Sequence, residues 1–186
     1  MNFINKFLQA CGRTDNPAAE LIVPLLNETF KPQYVLDVGC GDGSFLREFP
    51  ASCYKYGVDR HEYGFPQGFE NYLRLDLEKT YKLPQVDLAL CLETAEHLSA
   101  KAGDFLVNAL CKAAPVVVFG AAIPLQGGWG HVNEQWQSYW VKRFAINDYK
   151  PYDLVRSELW NLQIDPWYPQ NTVVYVQQPF HYSLTP

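Results

Sequence analysis

The chain has 186 residues, of which 48% are hydrophobic, 15% aromatic and 19% charged. A sequence of this length and composition can bury one substantial core, which excludes disordered, collagen-like and coiled-coil proteins. Its formal net charge is −5, and Lys142-Arg143 is the only pair of adjacent basic residues. We therefore expect a single domain over residues 1–186, with neither nucleic acid nor an anionic membrane as partner.

The cysteines and histidines are spaced without a metal-binding motif. The five cysteines show no CxxC or CxxH spacing, and the four histidines stand far apart in the sequence. We expect buried free thiols in a reducing compartment and no metal site. No apolar run has the length of a signal peptide or of a membrane span, so the sequence predicts a cytoplasmic protein. It makes no prediction of oligomeric state.

Short apolar runs alternate with helix-compatible segments, which predicts an α/β fold that ends in a hairpin-like pair. Asn16-Pro17 predicts the start of a helix that reaches Phe30 and that Pro24 should kink or divide. Two more helices are predicted over Ala100–Ala114 and Asn133–Ile146. Continuous apolar runs are typical of strands in a parallel sheet. The predicted strands are Tyr34–Val38, Tyr54–Val58, Tyr72–Leu77, Val86–Cys91, Pro115–Phe119, Asp153–Arg156 and Thr172–Gln177. The segment Arg60–Glu70 is too rich in Gly, Pro and aromatic residues for a full crossover helix.

The most informative stretch, VLDVGCGDGSF, leads from the first predicted strand through three alternating glycines into a helix. Glycines allow a sharp turn and close approach of a ligand, and a helix N-terminus suits a carboxylate or phosphate. The dinucleotide pattern G-x-G-x-x-G has Ser44 at its third glycine, whereas D-x-G-x-G-x-G is complete. In either case Asp59, at the end of the second predicted strand, can accept hydrogen bonds from ribose hydroxyls.

Two further segments, Leu75-Asp76-Leu77 and Val86–Leu98, follow in order, and with them the chain resembles the class I S-adenosylmethionine-dependent methyltransferases. The resemblance implies a three-layer Rossmann-like sandwich with a mostly parallel seven-stranded sheet whose last strand is antiparallel. It also implies S-adenosylmethionine as cofactor, lying across the carboxyl ends of the first four strands. The residues that it assigns to the cofactor are Asp37, Gly39, Cys40, Gly41 and Gly43 (methionine portion), Asp59 and Arg60 (ribose), Asp76 and Leu77 (adenine), and Leu92 and Glu93 (after the fourth strand). For Glu93, a hydrogen bond to His97 or a role at the start of a helix is as open as contact with the cofactor.

The segment Ala121–Trp136 follows the fifth predicted strand and should cross the open end of the sheet near the cofactor's sulfur. Its His131 is the candidate general base, because an imidazole exchanges protons readily near neutral pH, with capping of the next helix as the alternative. Glu134 can orient His131 or serve as an acid in the first turn of that helix. Trp129 and Trp136 are candidates for an acceptor pocket, whereas Tyr139 and Trp140 are expected to face the core.

These features predict transfer of a methyl group to a small polar acceptor, a metabolite or a sugar, at oxygen or nitrogen. No Asn/Asp-Pro-Pro-aromatic run, typical of enzymes that methylate exocyclic base amines, follows the fourth predicted strand. Two alternatives stay open. One is a non-catalytic S-adenosylmethionine-binding regulatory module. The other is an NAD-dependent oxidoreductase, which Ser44 and the short chain disfavour.

Overall fold

A computed structural model describes residues 16–60, 71–162 and 164–179. Cys11 and most of the segment Arg60–Glu70 lie outside the described residues. The helices are α1 (Pro17–Phe30), α2 (Ser44–Glu48), α3 (Ala100–Ala113), α4 (Gln137–Ala145), α5 (Arg156–Leu159) and α6 (Trp167–Asn171). The strands are β1 (Tyr34–Val38), β2 (Tyr54–Asp59), β3 (Tyr72–Arg74), β4 (Leu88–Leu92), β5 (Val116–Gly120), β6 (Tyr149–Tyr152) and β7 (Val173–Gln177). A 3₁₀ turn covers Ala95–His97.

The strands form one seven-stranded sheet in the order β3-β2-β1-β4-β5-β7-β6. β1 pairs in parallel with β2 and β4, and the parallel pairing extends to β3 on one side and β5 on the other. β7 runs antiparallel to both of its neighbours. The predicted fold class, a mostly parallel seven-stranded sheet with the last strand antiparallel, is confirmed.

Helices cover both faces of the sheet and bury two apolar layers. One layer lies between the sheet and helices α3 and α4 and includes Leu106, Trp140 and Phe144. The other lies between the sheet and helices α1, α2 and α5 and includes Ile22 and Leu46. β4 and β5 lie near the middle of the sheet and are buried almost throughout, as their uninterrupted apolar sequences predict. The two layers hold the carboxyl ends of the parallel strands at one edge, where the candidate site lies.

Helix α1 begins as the sequence predicts but continues through its proline. The side chain of Asn16 accepts hydrogen bonds from the amides of Ala18 and Ala19, at 3.1 and 3.4 Å, and caps the helix. Pro24 lies on an exposed position inside a continuous helix of 14 residues, so the expected division is wrong. The helix tolerates Pro24 because the buried side chains on its other face, Ile22, Val23 and Leu26 among them, hold it against the sheet.

Two other element boundaries differ from the sequence prediction. The sixth strand is Tyr149–Tyr152, not Asp153–Arg156, because the Tyr149 hydroxyl donates to the backbone carbonyls of Cys111 and Ala114 and fixes the strand there. Asp153 instead pairs with Arg156 at 3.3 Å, at the start of α5. The third strand ends at Arg74, which leaves Asp76 and Leu77 beyond its carboxyl end.

In the described part of the chain, Cys40, Cys53 and Cys91 are buried and Cys111 is half-buried, all as free thiols. Within residues 16–60, 71–162 and 164–179, no helix is both long enough and apolar enough to cross a membrane.

Candidate functional site

The candidate site lies where the connections from two central strands diverge. β1 lies between β2 and β4, and the chain leaves its carboxyl end through the glycine-rich turn Gly39–Gly43. In open α/β sheets, ligands bind outside the carboxyl ends of the strands at such a switch point. The turns after β1 and β4 and the carboxyl end of β2 meet there.

Backbone hydrogen bonds hold the glycine-rich turn against the end of β2. The amides of Gly39 and Cys40 donate to the carbonyl of Val58, at 2.7 and 3.1 Å. The amide of Gly41 donates to Oδ2 of Asp59 over 2.9 Å. Asp59 therefore shapes the turn as well as standing beside it.

Two of the glycines serve different purposes. Gly39 has a φ of +82°, and a Cβ on it would lie 2.0 Å from Oγ1 of Thr94, so no side chain fits. Gly41 has a φ of +53°, and a Cβ on it would meet nothing within 4 Å. Gly39 lets the turn contact the segment after β4, whereas Gly41 leaves backbone facing open space where a ligand can approach.

Asp37 is the buried acid of the site. It lies in β1 with 4% of its surface exposed. Burial, with the nearby carboxylates of Asp59 and Asp42, raises the pKa of Asp37 to about 8. An acid in this position gains most from a cationic partner, because a positive charge would offset both the burial and the repulsion.

The predicted adenine and ribose residues form the outer edge of the site. Asp76 accepts a hydrogen bond from the amide of Glu78 at 3.2 Å and pairs with Lys79 at 3.4 Å. The amide hydrogen bond from Glu78, followed by the charges of Lys79 and Arg60, lowers the pKa of Asp76. Arg60 is exposed, whereas Leu77 is buried.

Glu93 occupies a strained position directly after β4, with a φ of +50°. Its carboxylate accepts hydrogen bonds from Asn171 Nδ2 at 2.9 Å and from Gln126 Nε2 at 3.1 Å. Of the alternatives left open for Glu93, the hydrogen bond to His97 is not formed, because the carboxylate accepts instead from Asn171 on α6 and from Gln126 in the loop after β5. Burial raises the pKa of Glu93. Leu92 lies just before it, partly buried at the end of β4.

The loop Ala121–Trp136, termed the β5–α4 loop, folds over the segment that follows β4. The amides of Val132 and Asn133 donate to the carbonyl of Glu96, at 2.8 and 3.0 Å. The side chain of Asn133 is buried and reaches the carbonyl of Ala95. Helix α4 starts later than predicted, at Gln137, because these contacts bind the preceding residues to the loop.

His131 and Glu134 form a close pair within the loop. Nδ1 of His131 lies 2.9 Å from Oε1 of Glu134, whose two oxygens also accept hydrogen bonds from the amides of Leu125 and Gly127. His131 does not cap α4 and Glu134 is not in its first turn, so those alternatives are wrong. Glu134 orients His131 instead, and the His131 ring packs where a Cβ of Gly128 would lie, 2.4 Å from Cε1.

The aromatic residues of this region differ in burial. Trp140 is buried in the core, and Tyr139 is half-buried beside it with Arg143 over its ring. Trp129 and Trp136 are 70% and 56% exposed beside the loop.

Sequence reasoning missed three residues of the site, Glu96, Gln126 and Asn171. Asn171 is 3% exposed and donates to both Glu93 and Gln126, at 2.9 Å each. No local pattern marks it, since it precedes β7 and lies 78 positions from Glu93 along the chain. Glu96 is fully buried, which its neighbours in the sequence do not indicate.

Comparisons with known proteins give structural matches only. No protein-family model and no curated protein matches the sequence. Magnesium protoporphyrin IX methyltransferase from Synechocystis PCC 6803 with bound SAH has a TM-score of 0.63 at 15% identity, over 95% of this chain and 88% of that one.

Two proteins from other bacteria give similar values. Streptomyces venezuelae DesVI has a TM-score of 0.68 at 14% identity, over 95% of this chain and 99% of that one. The sugar N-methyltransferase KedS8 from a Streptoalloteichus species has a TM-score of 0.65 at 14% identity, over 95% and 93% of the two chains. Together with the sheet order and the glycine-rich turn, these likenesses show that the chain has the fold of the class I S-adenosylmethionine-dependent methyltransferases.

Proposed function

We propose that the chain transfers a methyl group from S-adenosylmethionine to a small polar acceptor in the cytoplasm, as a single domain. The observation that carries the proposal is the hydrogen bond from Gly41 to Asp59, which joins the glycine-rich turn to the acid expected at the ribose. Through this hydrogen bond the open backbone of Gly41, the carboxylate of Asp59 and the buried Asp37 lie beside one another at the switch point of the sheet.

The cofactor's three portions would each meet a different part of this edge. Its ammonium group, together with the positive sulfonium nearby, would provide a cationic partner for the buried Asp37. The ribose hydroxyls would donate to Asp59, and the adenine would lie by Asp76 and Leu77, at the end of β3. The turn backbone from Gly39 to Gly43 would contact the methionine portion without side chains in the way.

The β5–α4 loop supplies the acceptor side of the reaction. Methyl transfer is an in-line displacement, so the protein must hold the acceptor's nucleophilic atom near the methyl carbon and promote loss of its proton where it has one. We assign that proton transfer to His131, with Glu134 as the positioning residue that fixes its ring. The exposed Trp129 and Trp136 offer apolar surface for the acceptor. The porphyrin and sugar methyltransferases among the structural matches support a small acceptor.

The sheet argues against an NAD-dependent oxidoreductase. The classic dinucleotide-binding sheet has the order 3-2-1-4-5-6 with parallel strands, whereas β7 here is inserted antiparallel between β5 and β6. Helix α2 also starts at Ser44 where that fingerprint requires a third glycine.

Calorimetry with S-adenosylhomocysteine and, separately, NAD tests the cofactor assignment. We expect S-adenosylhomocysteine to bind and NAD not to bind. Asp59→Asn should weaken the binding by about 1–3 kcal/mol, since it leaves ribose hydroxyls poorly paired. Asp153→Asn, an exposed acid near α5, is the matched control and should bind like the wild type. Binding of NAD alone, or equal affinities for the two variants, would overturn the assignment.

Incubation with methyl-labelled S-adenosylmethionine tests the transfer itself. A small-metabolite extract should accept label from the wild type, and His131→Ala should lose most of the transfer. Label that enters only an RNA pool would contradict the small acceptor. A protein that binds S-adenosylhomocysteine yet labels neither pool would instead be a regulatory module.

A further inference from the structure

Three side chains meet between the segment after β4 and the β5–α4 loop. Glu96 and His97 come from the first segment and His131 from the second. One potential ligand atom from each, a carboxylate oxygen and two ring nitrogens, lies within 4.8 Å of the other two. The imidazoles contact edge to face with their centroids 4.9 Å apart.

Glu96 is the unusual member of this group. It is 0% exposed, and in the described part of the chain neither of its carboxylate oxygens has a hydrogen bond of standard distance and angle. The amides of Glu96 and Ala122 and the carboxyl of Glu93 lie beside it. A buried carboxylate without such a bond is costly, so a bound cation or a proton must neutralise it. A proton on Glu96 would be shared with the carboxyl of Glu93, whereas a metal ion would also use the lone pairs of the two imidazoles.

Both rings are held by contacts behind them. Nδ1 of His131 is bound to Glu134, which leaves Nε2 as the nitrogen that can face a ligand. Histidines that bind metals commonly have such a carboxylate on the other ring nitrogen, because it fixes the tautomer and the orientation. The His97 ring hydrogen-bonds to the backbone of Gly130, and its Nδ1 lies 3.6 Å from where a Cβ of that glycine would be.

We infer that Glu96, His97 and His131 form a binding site for one divalent transition-metal ion. Two imidazole nitrogens and one carboxylate oxygen suit Mn²⁺, Co²⁺ or Zn²⁺ rather than Mg²⁺ or Ca²⁺, which prefer oxygen ligands. Three ligand atoms on one ion, with metal–ligand bonds of about 2.0–2.2 Å, lie about 3–4 Å from one another. The ligand atoms of Glu96, His97 and His131 lie within 4.8 Å of one another, so binding would draw them together by about 1 Å. His97 is the exposed member of the group. The sequence predicts no metal site, because the chain separation of His97 and His131 hides their contact.

Three protein ligands leave coordination positions open, which is typical of catalytic rather than structural metal sites. An oxygen of the acceptor can take one of these positions, and the metal would then lower the pKa of that oxygen. This consequence rests on the proposed methyltransferase function, whereas the metal site itself does not. In the metal-bound form, His131 would promote loss of the acceptor's proton through the ion rather than take the proton itself.

Titration of the chelator-stripped, tag-free protein with Co²⁺ tests the inference. The visible absorption of Co²⁺ reports nitrogen ligands directly, and competition with Mn²⁺, Zn²⁺, Mg²⁺ and Ca²⁺ tests the preference. We expect one Co²⁺ per chain, displaced by Zn²⁺ at equal concentration, by Mn²⁺ only in excess, and not by an equal concentration of Mg²⁺ or Ca²⁺. Glu96→Gln, His97→Ala and His131→Ala should each weaken the binding at least tenfold. Glu28→Gln, an exposed acid on α1, is the control and should change nothing.

Far-UV circular dichroism and thermal unfolding show whether each variant folds, and His97→Ala removes the one exposed side chain of the three. No stoichiometric Co²⁺ binding by the wild type, or unchanged binding by folded His97→Ala, would overturn the inference. Binding of S-adenosylhomocysteine, measured on the same samples, is independent of it. The Co²⁺ titration can therefore refute the metal site while the proposed function stands, and loss of S-adenosylhomocysteine binding can refute the proposed function while the metal site stands.

Discussion

The side chain of Thr94 fills the space beside the Cα of Gly39 and so joins the turn after β1 to the turn after β4. The Thr94 hydroxyl also lies 3.1 Å from the carbonyl of Leu92 and 3.4 Å from that of Val38, and it bridges the two strand ends. The two turns are thereby held at a fixed distance. The turn after β1 lies at the proposed cofactor position, and the turn after β4 leads to Glu96 and His97.

Gly39→Ala should therefore disturb the site far more than Gly41→Ala. Both substitutions force alanine to a positive φ, which costs about 1–2 kcal/mol. Only the Cβ at position 39 would collide with Thr94, and such overpacking costs about 1–3 kcal/mol more. Urea unfolding should show the larger loss of stability for Gly39→Ala. Equal losses would mean that the contact with Thr94 relaxes without cost.

Asp37 should make the stability of the ligand-free protein depend on pH. In the unfolded chain its carboxyl loses its proton near the ordinary aspartate pKa of 3.8, whereas the folded state retains the proton up to about pH 8. Folding takes up a proton in this range, so stability falls as the pH rises from about 4 to 8 and then levels, with a slope of at most about 1.4 kcal/mol per pH unit.

The variant Asp37→Asn lacks this proton uptake. We expect the free energy of unfolding of Asp37→Asn, minus that of the wild type, to increase at each step when both are measured in urea at pH 5, 6, 7 and 8. Asp153→Asn is the exposed control. Parallel curves for wild type and Asp37→Asn would show that the carboxyl ionises without penalty in the fold.

The fold and the glycine-rich turn could be predicted from the sequence because their signals are local. The apolar runs of β1, β4 and β5 and the glycine-rich turn each lie within a few consecutive residues. The sixth strand could not be placed, because the hydroxyl of Tyr149 anchors it to carbonyls more than 30 positions earlier in the chain.

The β5–α4 loop was harder to predict, because its contacts join residues that are far apart in the sequence. The start of α4 depends on hydrogen bonds from the loop to Glu96 and Ala122, not on helix propensity. The burial of Glu96 and the contact of His97 with His131 arise only when the β5–α4 loop folds back over the turn after β4. Pairings of this kind have no periodicity that a sequence pattern can reveal.

Asn171 should be needed for stability although no motif marks it. Asn171→Ala would remove the donor to Oε1 of Glu93 and the donor to Oε1 of Gln126, both in a partly buried setting. Loss of a partner to a buried charged group costs about 1–3 kcal/mol. Asn108→Ala, at an exposed position on α3, should cost far less. Chemical denaturation compares the two, and matched losses would show that water replaces Asn171 without cost.

Glu134→Gln should weaken the cobalt site without removing a ligand. The Glu134 carboxylate accepts from His131 and from two backbone amides, whereas a glutamine has one carbonyl oxygen and an NH₂ that cannot accept. The His131 ring would lose its fixed tautomer, and loss of such a supporting carboxylate lowers metal affinity about 10–100-fold. The Co²⁺ titration measures this, with Glu158→Gln on α5 as the exposed control. Unchanged Co²⁺ affinity in Glu134→Gln would confine Glu134 to bracing the loop and leave His131 without a supported metal-binding role.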